Sequence, residues 1–508
     1  EDQSASGRVV PRSPAVISGP RSVYFAPNVL LEATEGREML RLLVNAMGVL
    51  LPGSAPDPGR LGLAELDVVL AAARRSATGP EAAALLAAAE AKAAAAVAQA
   101  QAQSSPPVVA AADPAPSELL GTPATNGELS STDTARLTPP ASAAPIRPEP
   151  SAVALIADAI DAAERVALLA RPCRENEARG VLLPRTLLPP SRTAIAQLLD
   201  QLRAAGINMV LPEVYGGGVS LTPGTNQDPR FAGHDPLASL LAEAGPRGIA
   251  VHAWVSLLST GTPGPKSPFP PGWSAQTRAG ARYLSYGQYW FCPTQTEVRD
   301  AVCEGIRRSL NGYAVQGVLL DGVDYGGVPE ACFDPTCVAL FRGDTGRNPR
   351  TDTLAPEWEA EWLRWRRDRV STLVRRVIRE IRTGRPGLPV HVGISTVGVE
   401  PRSNSIADWR EWSRQRWVDG VCVELDTGNV DEARRAAERV GRLAPEARVL
   451  PLLSSSRVRT PQHVLDLVAA VQEGGGAGIL FDMPGPVAER WGASLNRGPF
   501  RRAARLPW

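Results

Sequence analysis

No tryptophan occurs before Trp254, although the chain holds eleven. Histidine (4), methionine (4) and cysteine (6) are scarce in 508 residues. Six cysteines are too few for a scaffold built on disulfides. With 54 basic against 53 acidic side chains, the net charge is +1. The basic excess that nucleic-acid binding needs is missing, so no nucleic-acid partner is expected. There is no run of roughly 18 or more apolar residues, so nothing reads as a membrane-spanning helix. The chain opens Glu1-Asp2-Gln3 without a methionine. Two readings follow, a removed leader or a fragment of a longer chain. The first makes the protein exported: periplasmic, envelope-bound or extracellular.

What is present divides the chain in two. Residues 1–60 read as a tail or pairing arm, a short strand at Ser22–Pro27 and a helix at Glu35–Leu51 that stops at Pro52-Gly53. Residues 61–103 read as two Ala-rich helices, Leu61–Ser76 and Pro80–Gln103, broken at Gly79-Pro80. The second presents mostly methyl groups, as suits a closely packed helix or a spacer arm. Residues 104–150, rich in Ala, Pro, Ser and Thr, read as a linker. Residues 151–508 read as the main domain, led by an amphipathic helix at Pro150–Arg171.

From Gly180 the pattern is regular. Short Val/Ile/Leu runs begin at Val181, Ile207, Ile249, Val315, Pro389, Val418, Arg448 and Gly478, separated by stretches of helical period. Strands apolar on both faces suit a parallel sheet covered by helices. Eight such units predict an α/β fold, a (β/α)8 TIM barrel, rather than a doubly wound sheet.

Ligands of this barrel bind at the C-terminal ends of its strands. There the sequence places Glu213 and Tyr215, then His252 and Trp254, then Asp321, Asp324 and Tyr325. Ser395, Glu424, Asp426 and Asp482 follow on later strands. A cleft of carboxylates and aromatics suits glycoside hydrolysis. One carboxyl protonates the leaving oxygen, and another acts as base or nucleophile. Tryptophan and tyrosine faces stack on sugars. Asp321 is the expected nucleophile or stabiliser, and Glu424 or Asp426 its acid/base partner. Plainer readings exist: Glu213 bonding loop amides, His252 a core histidine, Trp254 a barrel plug, Asp482 a turn residue. No His–acid spacing marks a metal site among these acids, and no cofactor is expected. Cys332 and Cys337, in ACFDPTC, read as a local disulfide or two free thiols. With no second Cys or His pair nearby they make a poor zinc site.

Residues about 180–490 resemble the glycosyl hydrolase-like 10 family of bacterial envelope proteins. The resemblance rests on Arg179-Gly180-Val181, Gly233-His234-Asp235-Pro236-Leu237, Arg247-Gly248-Ile249 and Val251-His252-Ala253-Trp254. It continues through Gly317-Val318 to Asp321, Trp365-Arg366-Arg367-Asp368, Gly393-Ile394-Ser395 and Trp417-Val418-Asp419. It implies glycan hydrolysis, with peptide-stripped peptidoglycan strands a substrate of at least one relative. The chain departs from the family where Gly322 replaces a second acid after Asp321, and the next acid is Asp324. Val255-Ser256-Leu257 stands for an Asn-Pro region, and Glu424-Leu425-Asp426 for Gln-Leu-Tyr. The competing expectation is a barrel that has lost catalysis and serves as a glycan-binding or structural envelope protein, its N-terminal helices suited to protein partners. An amidase or isomerase on the same barrel has no Ser-His-Asp or Cys-His arrangement at the strand ends to support it.

Overall fold

The computed structural model describes residues 16–19, 22–25, 66–67, 69–75, 77, 80–104, 152–259, 267–285, 287–325, 331–352, 356–399 and 405–508. They form two compact units that divide between Ala170 and Arg171. The helix expected over Glu35–Leu51, and the linker expected beyond Ser104, lie outside the described residues.

In the first unit, Val16–Gly19 pairs antiparallel with Ser22–Phe25. Helix Pro80–Ser104 packs on helix Ala152–Leu169 and on helical residues 69–75. Their shared core is Leu66, Leu70, Ile156, Ile160 and Val166 with a seam of alanines, among them Ala89, Ala93, Ala96, Ala159 and Ala163. Methyl side chains at helical spacing let two backbones approach closely, which compensates for the small area each buries. The helix expected to lead the barrel therefore belongs to this unit. Its apolar face is taken by Pro80–Ser104.

In the second unit, eight parallel strands close on themselves. They are β1 (Ala178–Leu183), β2 (Met209–Gly216), β3 (Ala250–Ser256), β4 (Gly317–Asp321), β5 (Val390–Ser395), β6 (Gly420–Leu425), β7 (Arg448–Leu453) and β8 (Gly478–Phe481). Each pairs with its sequence neighbours, and β8 pairs with β1 to complete the barrel. The short strand Val219–Ser220 folds back antiparallel on β2. Between the strands run α1 (Arg192–Ala204), α2 (Pro236–Ala244), α3 (Thr296–Leu310), α4 (Pro356–Arg382), α5 (Trp409–Arg414), α6 (Val430–Leu443) and α7 (Pro461–Glu473), and α8 (Gly492–Arg497) follows β8. An extra helix, Pro335–Thr345, precedes α4.

The helix starts follow from local chemistry. Ser191, Asp235, Asn429 and Thr460 each accept a backbone N–H of the first turn, at 3.2, 2.9, 3.0 and 3.1 Å. Proline follows the cap in α2 and α7, where a missing N–H costs nothing. Each such cap contributes about 1 kcal/mol.

Alternation along the strands sends one set of side chains into the barrel. Ala178, Leu182, Met209, Leu211, Leu319, Cys422, Leu450, Leu452 and Leu480 fill it, with Leu506 and Trp508 packed against them. The C-terminal residues close the floor: Arg505 N–H bonds to Glu175 O at 2.7 Å, and Arg448 Nε donates to Pro507 O at 2.8 Å. With the floor sealed by residues 505–508, the opposite rim is the place for a ligand.

Candidate active site

The inward set continues upward from the apolar layers. Two residues beyond Leu211 is Glu213, beyond Leu319 is Asp321, beyond Cys422 is Glu424, and beyond Leu480 is Asp482. The period of two that fills the core therefore delivers carboxylates to the mouth.

Asp321 ends β4 opposite Ser256 of β3. Its Oδ2 accepts a hydrogen bond from Trp254 Nε1 at 3.0 Å. Burial raises its pKa, opposed by hydrogen bonds from the Gly322 amide and the Trp254 indole, while the charge of Glu213 adds to the rise. Gly393 of β5 leaves it room, since a Cβ there would stand 2.8 Å from Oδ1.

Glu424 faces Ser395 in the β5–β6 register. Its carboxyl is pushed up to about 7, first by the barrel wall that crowds water from it. The negative charges of Asp321, Asp426, Asp324 and Asp482 then add to the rise. The residue is nonetheless exposed to solvent in the barrel mouth. A carboxylic acid that holds its proton near neutrality is suited to proton donation.

Gly322 has φ +63°, a left-handed conformation, and a Cβ there would meet Ser256 Oγ at 2.6 Å. An acid at this position would be strained and obstructed. The chain turns at Gly322, buries Val323 and brings Asp324 back to the mouth, where its Oδ2 accepts from Ser395 Oγ at 3.3 Å. The second acid of this strand end thus arrives three residues after Asp321 by way of a turn.

Other expected site residues serve the rim. Both Glu213 oxygens are held by Arg185, from its side chain at 3.0 Å and its backbone N–H at 3.2 Å. Asp426 is exposed and paired with Arg457 through two hydrogen bonds of 2.7 and 3.0 Å, which hold its carboxyl below the ordinary range. That engagement leaves Glu424 as the better acid. Asp482 accepts from the Ser455 N–H at 2.9 Å and from the Ser455 hydroxyl, so it braces the β7 and β8 loops as a turn residue would.

Three expected ligand contacts are elsewhere. Tyr215 is two residues past Glu213, but the β2–β3 register shifts between them and turns the tyrosine outward. It is sealed beneath α3, where a Cβ on Gly305 would stand 2.4 Å from its ring. Tyr325, at φ +56°, is folded into the loop, its hydroxyl donating to Phe291 O at 3.2 Å. His252 lies deep in the barrel near the start of β3, stacked on His391 at 5.5 Å and beside Trp508 at 5.3 Å. Burial first, then His391, lowers its pKa to about 3, so it is a neutral core residue.

Arg185 escaped the sequence reading. It is an arginine just past β1, and its guanidinium fixes Glu213 and the Gly216 carbonyl, the latter at 3.2 Å. Its signal was a cation just past β1, a strand end at which the sequence offered no other candidate. Among the described residues one group of possible metal ligands converges, Cys292, Cys332, Asp334 and Cys337. It lies in the segments that follow β3 and β4, not among the mouth acids.

Comparison with known proteins agrees with this architecture. The chain is 26% identical over 275 residues to glycosyl hydrolase DigH of Escherichia coli (strain K12), covering 47% of this chain and 60% of that protein. It is 27% identical over 271 residues to glycosyl hydrolase YngK of Bacillus subtilis (strain 168), covering 45% of this chain and 48% of that protein. The chain thus spans about half to three fifths of the length of these relatives. The glycoside hydrolase domain of PgaB (BpsB) from Bordetella bronchiseptica superposes with a TM-score of 0.51 at 14% identity, covering 63% of this chain and 98% of that domain, a likeness of fold. The family profile described as Glycosyl hydrolase-like 10 matches residues 188–443. On that match, which spans half of the sequence and the barrel from the end of β1 to α6, the chain belongs to the glycosyl hydrolase-like 10 family.

Proposed function

We propose that this chain is an exported glycoside hydrolase acting on an envelope polysaccharide, with peptidoglycan glycan strands as the substrate class. The observation that carries the reading is Glu424, raised to about 7 in a mouth it shares with Asp321. Glu424 donates its proton to the leaving glycosidic oxygen. Asp321, oriented by the Trp254 and Gly322 N–H groups, supplies the negative charge that stabilises the sugar cation or attacks it. Asp324 and Asp482 keep the field around Glu424 negative, and so keep its proton in place. The family match and the peptide-free glycans implied for relatives support the substrate class.

The test is release of reducing ends from peptide-stripped peptidoglycan and a panel of other glycans. Asp321→Asn and Glu424→Gln are each expected to lower turnover by about 10²–10⁴-fold, with the unfolding midpoint retained. Absence of turnover by the unaltered chain on every glycan, or equal turnover in both variants, would transfer the case to a non-hydrolytic barrel.

A further inference from the structure

We propose that Cys292, Cys332, Asp334 and Cys337 form a structural zinc site that ties the segment after β3 to the segment after β4. All four side chains are buried, and their donor atoms lie within 4.8 Å of one another. The sulfurs form a nearly equilateral triangle: Cys292 to Cys332 is 3.1 Å, Cys292 to Cys337 is 3.3 Å, and Cys332 to Cys337 is 3.3 Å. Each separation is far beyond a disulfide bond of about 2.05 Å. A disulfide uses two sulfurs and would leave the third beside a buried carboxylate. A shared cation uses all three.

The fourth donor is in place. Asp334 Oδ2 stands 3.5 Å from Cys332 Sγ, while its other oxygen accepts the Cys337 N–H at 3.2 Å and caps helix Pro335–Thr345. A buried carboxylate packed against three thiols is costly, and one neighbouring guanidinium, that of Arg366, does not balance four anionic donors. Three soft thiolates select zinc over magnesium or calcium. Zinc–sulfur bonds of about 2.3 Å in tetrahedral array set the sulfurs about 3.8 Å apart, so binding opens the triangle by about half an ångström. Four protein ligands leave no open position, the mark of a structural rather than a catalytic site. Binding releases the thiol protons to solvent.

The surroundings match. Cys332 is held at φ +87°, a strained conformation for a residue with a Cβ. Thr294 Oγ1 lies 3.1 Å from Cys337 Sγ, where its hydroxyl is placed to donate to a thiolate, and the Tyr325 hydroxyl, whose proton goes to Phe291 O, packs 3.2 Å from Cys332 Sγ. The buried Arg366, donating to Ala331 O at 2.8 Å, brings a positive charge beside a centre whose ligands are anionic. Cys292 comes from the segment before α3, and the other three from the segment after β4. Tyr325 bridges them by bonding to Phe291 O, and it adjoins Asp324. Metal here would fix the loop that returns Asp324 to the mouth. The pair Cys332 and Cys337 looked inadequate because its partner Cys292 lies forty residues earlier.

The experiment is metal analysis of the full chain, prepared with zinc and passed through gel filtration. About one zinc per chain is expected, lost in Cys292→Ser and Cys337→Ser. Where a variant fails to fold, the unaltered chain suffices. Mercurial titration of its thiols should release the zinc into a colorimetric chelator. Cobalt in place of zinc should show the visible bands and the thiolate charge-transfer band of a tetrahedral site. A chain that retains no zinc while all six of its thiols titrate after denaturation would overturn the proposal. So would an intact mass lower by two hydrogens, which marks a disulfide. None of these readouts depends on glycan cleavage.

Discussion

The two ends of the barrel handle charge in opposite ways. On the floor, Arg179 and Glu177 are both fully buried and paired at 2.9 Å. Every direction of that guanidinium has an acceptor, among them the carbonyls of Arg174 at 3.0 Å and Arg502 at 2.7 Å, and Glu177 also receives Gln472 Nε2 at 2.7 Å. His252 and His391 sit nearby as neutral rings. At the mouth, Asp321, Asp324, Glu424 and Asp482 share a field, while Arg185 and Arg457 at the rim are committed to Glu213 and Asp426. A closed network stabilises one structure. A surplus of carboxyls, with Asp321 and Glu424 raised in pKa, is work in reserve for a ligand.

Removing one partner of the floor pair breaks this contrast most severely. Arg179→Met leaves Glu177 buried and unanswered, at an expected cost of about 3–5 kcal/mol in stability, read from the denaturant midpoint. The two buried histidines come next. Each has its pKa lowered by burial from 6.5 to about 3, so the unfolded chain takes up protons between those values while the folded chain does not. Stability is therefore present above 6.5 and falls as pH drops, by up to about 3 kcal/mol for the pair over the first unit. Unfolding measured between pH 7 and 5 should show that slope, halved in His391→Leu. Glu424 has the reverse sign, since a raised carboxyl contributes stability at low pH that is lost as pH rises through about 7. The smallest effect is expected at the exposed Asp426–Arg457 pair. Asp426→Asn should change stability by less than about 1 kcal/mol and leave glycan turnover near that of the unaltered chain.

The barrel was legible because its signals are local. Apolar runs of strand length, intervening stretches of helical period, and a count of eight needed no knowledge of distant contacts. Position just after an apolar run marked Glu213, Asp321, Glu424 and Asp482, which the alternation of the strands carries to the inner face. The misplacements came from events that alternation does not encode. A register shift after Glu213 turned Tyr215 outward, a left-handed Tyr325 folded into its loop, and His252 stood too early on β3 to reach the mouth. Arg185 and Cys292 were passed over because each matters through a partner distant in sequence. The leading helix was assigned to the barrel because its amphipathic face is evident and its true partner, an alanine seam, is not.

The most direct test of the account is the pH dependence of reducing-end release from peptidoglycan glycan strands by the unaltered chain and by Glu424→Gln. If Glu424 is the proton donor, the rate declines with single-proton dependence above about pH 7, and the variant loses about 10²–10⁴-fold of the rate together with that decline. A variant that cleaves at the original rate with the same alkaline limb would contradict it.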